Sequence, residues 1–150
     1  MSKQLNPLLV TCHEVLQTAS KIRVKKERVA FLQAHSALHI RNVLRGAFDD
    51  SIQWDLPEGK PPYEMSSDGF RHMRRTTDQL KYFVVGGPGE NMAMAKKQKI
   101  FISMLENLPP EDADVIIAMK DKKLHELYPG ITLEIVNQAF PKLIRKQPGK

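Results

Sequence analysis

Apolar residues recur along most of this chain at intervals of three and four, the spacing that lays them on one face of an α-helix. Leu8, Leu9, Cys12, Val15, Leu16 and Ala19 form the first such stripe, and Asn6 followed by Pro7 offers a side-chain cap and a ring already set to helical φ at its start. A second helix is expected from Lys25 to Ala34 on Val29, Phe31 and Leu32, and a third from Ser36 to Phe48 on Leu38, Val43, Leu44 and Ala47. The pattern resumes at Asp68 through Phe70, Met73, Thr77, Leu80, Phe83 and Val84, and Gly86, Gly87, Pro88 and Gly89 break it. Asn91 to Leu108 carries Met92, Ala95, Ile100, Phe101, Met104 and Leu105, after which Pro109 and Pro110 open a helix from Glu111 to about Lys120. Tyr128, Pro129 and Gly130 make a turn. Thr132 then caps a last helix bearing Leu133, Ile135, Val136, Ala139 and Phe140 before Pro141.

The stretch from Asp49 to Ser67 departs from this periodicity. Pro57, Gly59, Pro61 and Pro62 deny it helical hydrogen bonds, yet Ile52, Trp54, Leu56 and Tyr63 give it large apolar groups, so it is expected to lie against the body. The fold class is therefore mainly α: a compact bundle of about six or seven short helices with a long Pro-rich loop in the middle. One domain covers 1–150, with a helical subdomain at 6–48, the loop at 49–67, a second helical part at 68–143 and a basic tail at 144–150.

Composition narrows the setting. With 41% hydrophobic and 27% charged residues in 150, the chain has the balance of a globular protein and not of a disordered one. Twenty-three Lys and Arg against 17 Asp and Glu leave a formal charge of +6, which favours polyanions. Cys12 is the only cysteine, which rules out an intramolecular disulfide or a Cys-rich zinc site and suits a reducing compartment. No apolar run approaches the roughly 18 residues that span a bilayer, and Met1 to Leu5 lacks a signal-peptide layout. The expected location is the cytoplasm, with no membrane partner.

The basic residues fall in clusters. Lys21, Arg23, Lys25, Lys26 and Arg28, then Arg71, Arg74 and Arg75, then Lys96 and Lys97 are the candidates for phosphate contact, provided that they converge on one face. Further groups stand at Lys120, Lys122 and Lys123 and at Lys142, Arg145, Lys146 and Lys150, and for all of these clusters solvated helix faces and ends are the alternative. No zinc finger, RNA-recognition motif or basic zipper accompanies them, so a nucleic-acid reading rests on charge alone. His35 and His39 stand four apart, but a cap at Ser36 would put them on different elements, and HExxH is absent. The glycine-rich Gly86 to Gly89 lacks the Lys and Ser/Thr of a phosphate loop. Glu111 and Asp112 suit the positive end of a helix dipole, and Cys12 reads as a small buried hydrophobe. No catalytic residue, metal site or cofactor is expected.

Two patches carry a resemblance. The run from Phe48 through Asp49, Asp50, Ser51, Ile52, Gln53, Trp54, Asp55, Leu56, Pro57, Glu58, Gly59, Lys60, Pro61 and Pro62 to Tyr63 is one. The other is Lys120, Asp121, Lys122, Lys123 and Leu124 with the later Gly130, Ile131, Thr132 and Ala139, Phe140, Pro141. Together they resemble an uncharacterised family of small proteins in T4-like tailed phages and cyanophages. The resemblance implies a phage-encoded protein acting inside an infected bacterium and assigns no catalytic residues.

The function expected from all this is binding without catalysis, to DNA, RNA or nucleic-acid-handling machinery through the basic clusters. The alternative is a protein-only adaptor or minor virion component, engaging a phage or host protein through Trp54, Leu56, Pro61, Pro62 and Tyr63, since a proline-rigid loop bearing aromatics recognises partners at low entropic cost. The same loop could serve instead as a strap over the core. The oligomeric state is left open.

Overall fold

Helix α1, Cys12–Lys21, starts where Thr11 turns extended and closes a reciprocal cap: its hydroxyl accepts the Glu14 amide at 3.2 Å, and the Glu14 carboxylate accepts the Thr11 amide at 3.2 Å. The expected stripe therefore does not run unbroken from Leu8, because Thr11 interrupts it. Asn6 and Pro7 lie outside the described residues, which are 11–63 and 79–144 of the computed structural model.

Helix α2, Lys25–Ala34, has the expected bounds, and His35 ends it by directing Nδ1 at the Phe31 carbonyl, 2.9 Å away. Helix α3, Leu38–Phe48, begins two residues later than expected. Extended Ala37, not Ser36, stands at its cap, so His35 and His39 do fall on separate elements. The chain then runs as an irregular strap from Asp49 to Tyr63.

Beyond the strap the described chain returns at Gln79. Leu80–Phe83 is a 3-10 turn and Val84 is extended, pairing as an isolated antiparallel bridge with Trp54. The expected helix thus does not reach Val84. The bridge wins there because the Asp55 amide donates to the Phe83 carbonyl at 2.6 Å and the Val85 amide to the Gln53 carbonyl at 2.8 Å. Arg71, Arg74 and Arg75 lie outside the described residues, as does the helical pattern from Asp68 to Thr77.

Helix α4 spans Met94–Glu106 and α5 spans Pro110–Lys120, so α5 begins one residue before the expected Glu111 and Pro110 takes its first helical position. A short α6, Leu124–Leu127, was not anticipated from the sequence. Helix α7, Leu133–Ala139, is capped by Thr132, whose hydroxyl accepts the Ile135 amide at 3.3 Å. The described residues thus form seven α-helices with no strand longer than the single bridge, which is the mainly α bundle expected.

One core joins them. Helix α5 lies at its centre, packed against α1, α3, α4 and α6, while α2 packs on α1 and α7. Its Asp112, Ala113, Val115, Ile116, Ile117, Met119 and Lys120 are all buried, as befits a helix covered on nearly every side. Ile144, expected as the first residue of the basic tail, is buried in the core; Arg145, Lys146 and Lys150 fall outside the described residues.

Gly46 lets α3 and α5 approach. A Cβ at this position would stand 2.7 Å from both Met119 Sδ and Trp54 Cζ2. Gly46→Ala should therefore destabilise the fold by roughly 1–3 kcal/mol, the usual cost of overpacking. Urea denaturation checks this, and an unchanged midpoint would mean that the strap is free to move away.

Candidate binding site at the strap

The strap lies where it does because the C-terminal end of α5 holds it. Lys120 is almost wholly buried, and its ammonium uses all three of its donors: to the Pro57 carbonyl at 2.8 Å, the Gly59 carbonyl at 3.1 Å and Asp121 Oδ1 at 2.5 Å. Asp121 answers by accepting the Gly59 amide on both carboxylate oxygens, at 3.2 and 3.1 Å. A buried cation is tolerated only when it is paired and hydrogen-bonded in this way. Lys123 adds an exposed pair with Glu58 at 3.0 Å, which contributes little by itself.

Lys122 works in the opposite direction. Its backbone takes the left-handed conformation at φ 60, and its ammonium donates to the Gly46 and Asp49 carbonyls at 2.8 and 3.0 Å. These are carbonyls at the end of α3, which a helix leaves without partners. The Trp54 indole N–H donates to the same Gly46 carbonyl at 3.0 Å. Burial pulls the Lys122 ammonium below its ordinary pKa, with Asp50 and Asp49 opposing the shift. Asp49 itself is fully buried and accepts the Ser51 amide and hydroxyl at 2.9 and 2.6 Å.

Between the strap and α4 lies a cavity of about 300 Å³, walled by Leu56, Pro61 and Pro62 on one side and by Gln98, Phe101 and Ile102 on the other, with Glu58, Lys60 and Lys120 as the charged residues of its lining. Of the five loop residues proposed for protein contact, Leu56, Pro61 and Pro62 line this recess. Trp54 and Tyr63 do not, and instead pack against the core. The loop is thus strap and recess wall together.

The phosphate candidates fare unevenly. Lys97 is 1% exposed and paired with Asp55 at 2.5 Å, so it ties α4 to the strap and is not a surface cation. Arg28 is committed to carbonyls, with Nε on Ile22 at 3.0 Å and Nη1 on Gly130 at 3.1 Å. Lys25 pairs with Glu134 at 2.8 Å. Lys21, Arg23 and Lys26 remain exposed around the corner between α1 and α2, and Lys96 is exposed on α4, whose packing is against α5. Helical charge spacing alone does not reveal which cations will meet a carbonyl or carboxylate supplied from elsewhere in the chain.

A second polar cluster joins α1 to α5. Asp112 Oδ1 accepts the His13 amide at 3.0 Å, capping α1 from outside, and His13 Nδ1 lies 2.7 Å from the Tyr128 hydroxyl. Burial raises the pKa of Asp112 despite the opposing His13 amide, and it raises those of Tyr128 and the enclosed Cys12 thiol as well. None of these residues lines the recess. Among the described residues no three His, Cys, Asp or Glu side chains gather into a possible metal site, and no helix is long and apolar enough to cross a membrane.

Residues 15–126 match a family described as a family of unknown function, DUF6433. The chain belongs to this family. The DUF6433 match runs from α1 into α6, so it takes in the strap, the recess and the Lys120–Lys123 segment that fastens them. No curated protein matches the chain.

The Asp112 environment has a consequence for pH. A carboxyl whose folded pKa exceeds its unfolded value makes the protein lose stability as pH rises from about the ordinary value of 3.8 through the folded value. Asp112→Asn keeps an oxygen for the His13 amide but has no charge to bury. Its stability relative to wild type should therefore improve as pH rises above 3.8; thermal unfolding of both proteins across that range checks this, and a constant difference would contradict it.

Proposed function

We propose that this protein is a non-enzymatic accessory protein of a tailed phage, an adaptor in the cytoplasm of the infected bacterium that docks a partner protein on the strap. The observation that carries this reading is the recess of about 300 Å³ between the strap and α4, with Leu56, Pro61, Pro62, Phe101 and Ile102 in its wall and its backbone held by Lys120 and Asp121. Small apolar recesses of this kind are the usual place for a ligand group. A wall stiffened by prolines and ion pairs loses little entropy on binding. The phage setting follows from the resemblance of the Phe48–Tyr63 and Lys120–Leu124 segments.

A second reading, contact with nucleic acid or its handling machinery, is favoured by Lys21, Arg23 and Lys26, which are exposed together near one corner. Burial of Lys97 and the engagement of Arg28 by carbonyls shift weight from this reading to the adaptor. Contact of the phosphate kind would weaken steeply as salt rises.

Tagged protein recovered from phage-infected cells after nuclease digestion separates the two. The adaptor reading predicts a co-purifying protein that survives nuclease and falls by about tenfold, the equivalent of ~1.4 kcal/mol, when Gln98→Trp fills the recess at unchanged Tm. Loss of every partner on nuclease treatment, or full retention by the variant, would count against it.

A further inference from the structure

The charges around the recess do not cancel. Lys120 is neutralised by Asp121 and Lys123 by Glu58, which takes both acids of that rim out of play. Lys60 lines it too, exposed, with its ammonium 5.4 Å from the centre of the Tyr63 ring and no carboxylate beside it among the described residues. Lys99, exposed and next along α4 from the lining residue Gln98, likewise meets no carboxylate among the described residues. Among the described residues the recess is therefore an apolar hole with one unpaired lysine in its lining and a second one position along α4 from Gln98.

Resting on the adaptor reading, we infer that the occupant is a short acidic segment of a partner protein that inserts one bulky apolar side chain between the strap and α4 while its flanking Asp or Glu residues face Lys60 and Lys99. The volume suits such a side chain, since about 300 Å³ is the lower end of the range for ligand recesses. Phe101 gives an inserted aromatic ring a partner for edge or offset packing. Charge placed on the rim, outside the apolar floor, sets partner choice and encounter rate more than affinity, so a basic segment is turned away while the apolar anchor supplies the hold. Lys120 is not the group that reads the acid, because its three donors are already spent on Pro57, Gly59 and Asp121.

The test is an amide NMR titration of the full chain with Gly-Asp-Asp-Trp-Asp-Asp-Gly, with the same peptide carrying Lys for Asp, and with the acidic peptide carrying Ala for Trp. The expected result is a shift of the Gly59, Lys60, Gln98 and Ile102 amides by the acidic Trp peptide alone, weakened about three- to tenfold in Lys60→Glu, as reversal of a rim charge implies. Equal or stronger shifts of the same amides with the Lys peptide would overturn the acidic partner and leave the strap as a docking site. Shifts by neither charge pattern would overturn both.

Discussion

A lysine ammonium buried between two backbone carbonyls and a carboxylate is the constraint on which this molecule is arranged. Lys120 ends the central helix α5, and solvent reaches almost none of it. Such a charge is stable inside only while its partners stay in place, and removing one partner of a buried pair typically costs about 3–5 kcal/mol. The strap carbonyls of Pro57 and Gly59 are therefore not free to drift, although the segment that carries them has no regular secondary structure.

From that anchor the rest of the strap follows. With Gly59 fixed, Leu56 faces the recess and Trp54 reaches the end of α3, where its indole and Lys122 share the Gly46 carbonyl. The absence of a side chain at Gly46 makes room for that indole and for Met119. Lys97 then closes the other flank through Asp55, bringing α4 against the strap so that a recess forms between them. Three lysines that look like surface charge in the sequence thus hold together the wall of the candidate site.

Much of the architecture could be read from the sequence, and the reasons are local. Lys25–Ala34, the Pro110 start and the Thr132 cap depend on residues within a turn of the feature they create, as do the prolines that keep 49–63 out of a helix. The misses depend on distant partners. Leu80, Phe83 and Val84 fit a helical stripe, but pairing with Gln53, Trp54 and Asp55 draws them into a 3-10 turn and a bridge. Lys97 and Lys120 have the spacing of solvated cations, and only Asp55 and the Pro57 and Gly59 carbonyls, about sixty residues away in the case of Lys120, turn them inward. One signal was present: the two segments carrying the family resemblance, Phe48–Tyr63 and Lys120–Leu124, are the two that meet.

Native-state hydrogen exchange in Asp121→Ala measures the clamp most directly. If the pairing with α5 holds the strap, the Gly59, Asp55 and Val85 amides should all exchange much faster than in wild type while Ile116 in α5 keeps its protection, because the strap opens without unfolding the core. Faster exchange confined to Gly59, or no change at any of the three, would show that the strap stays in place without the clamp.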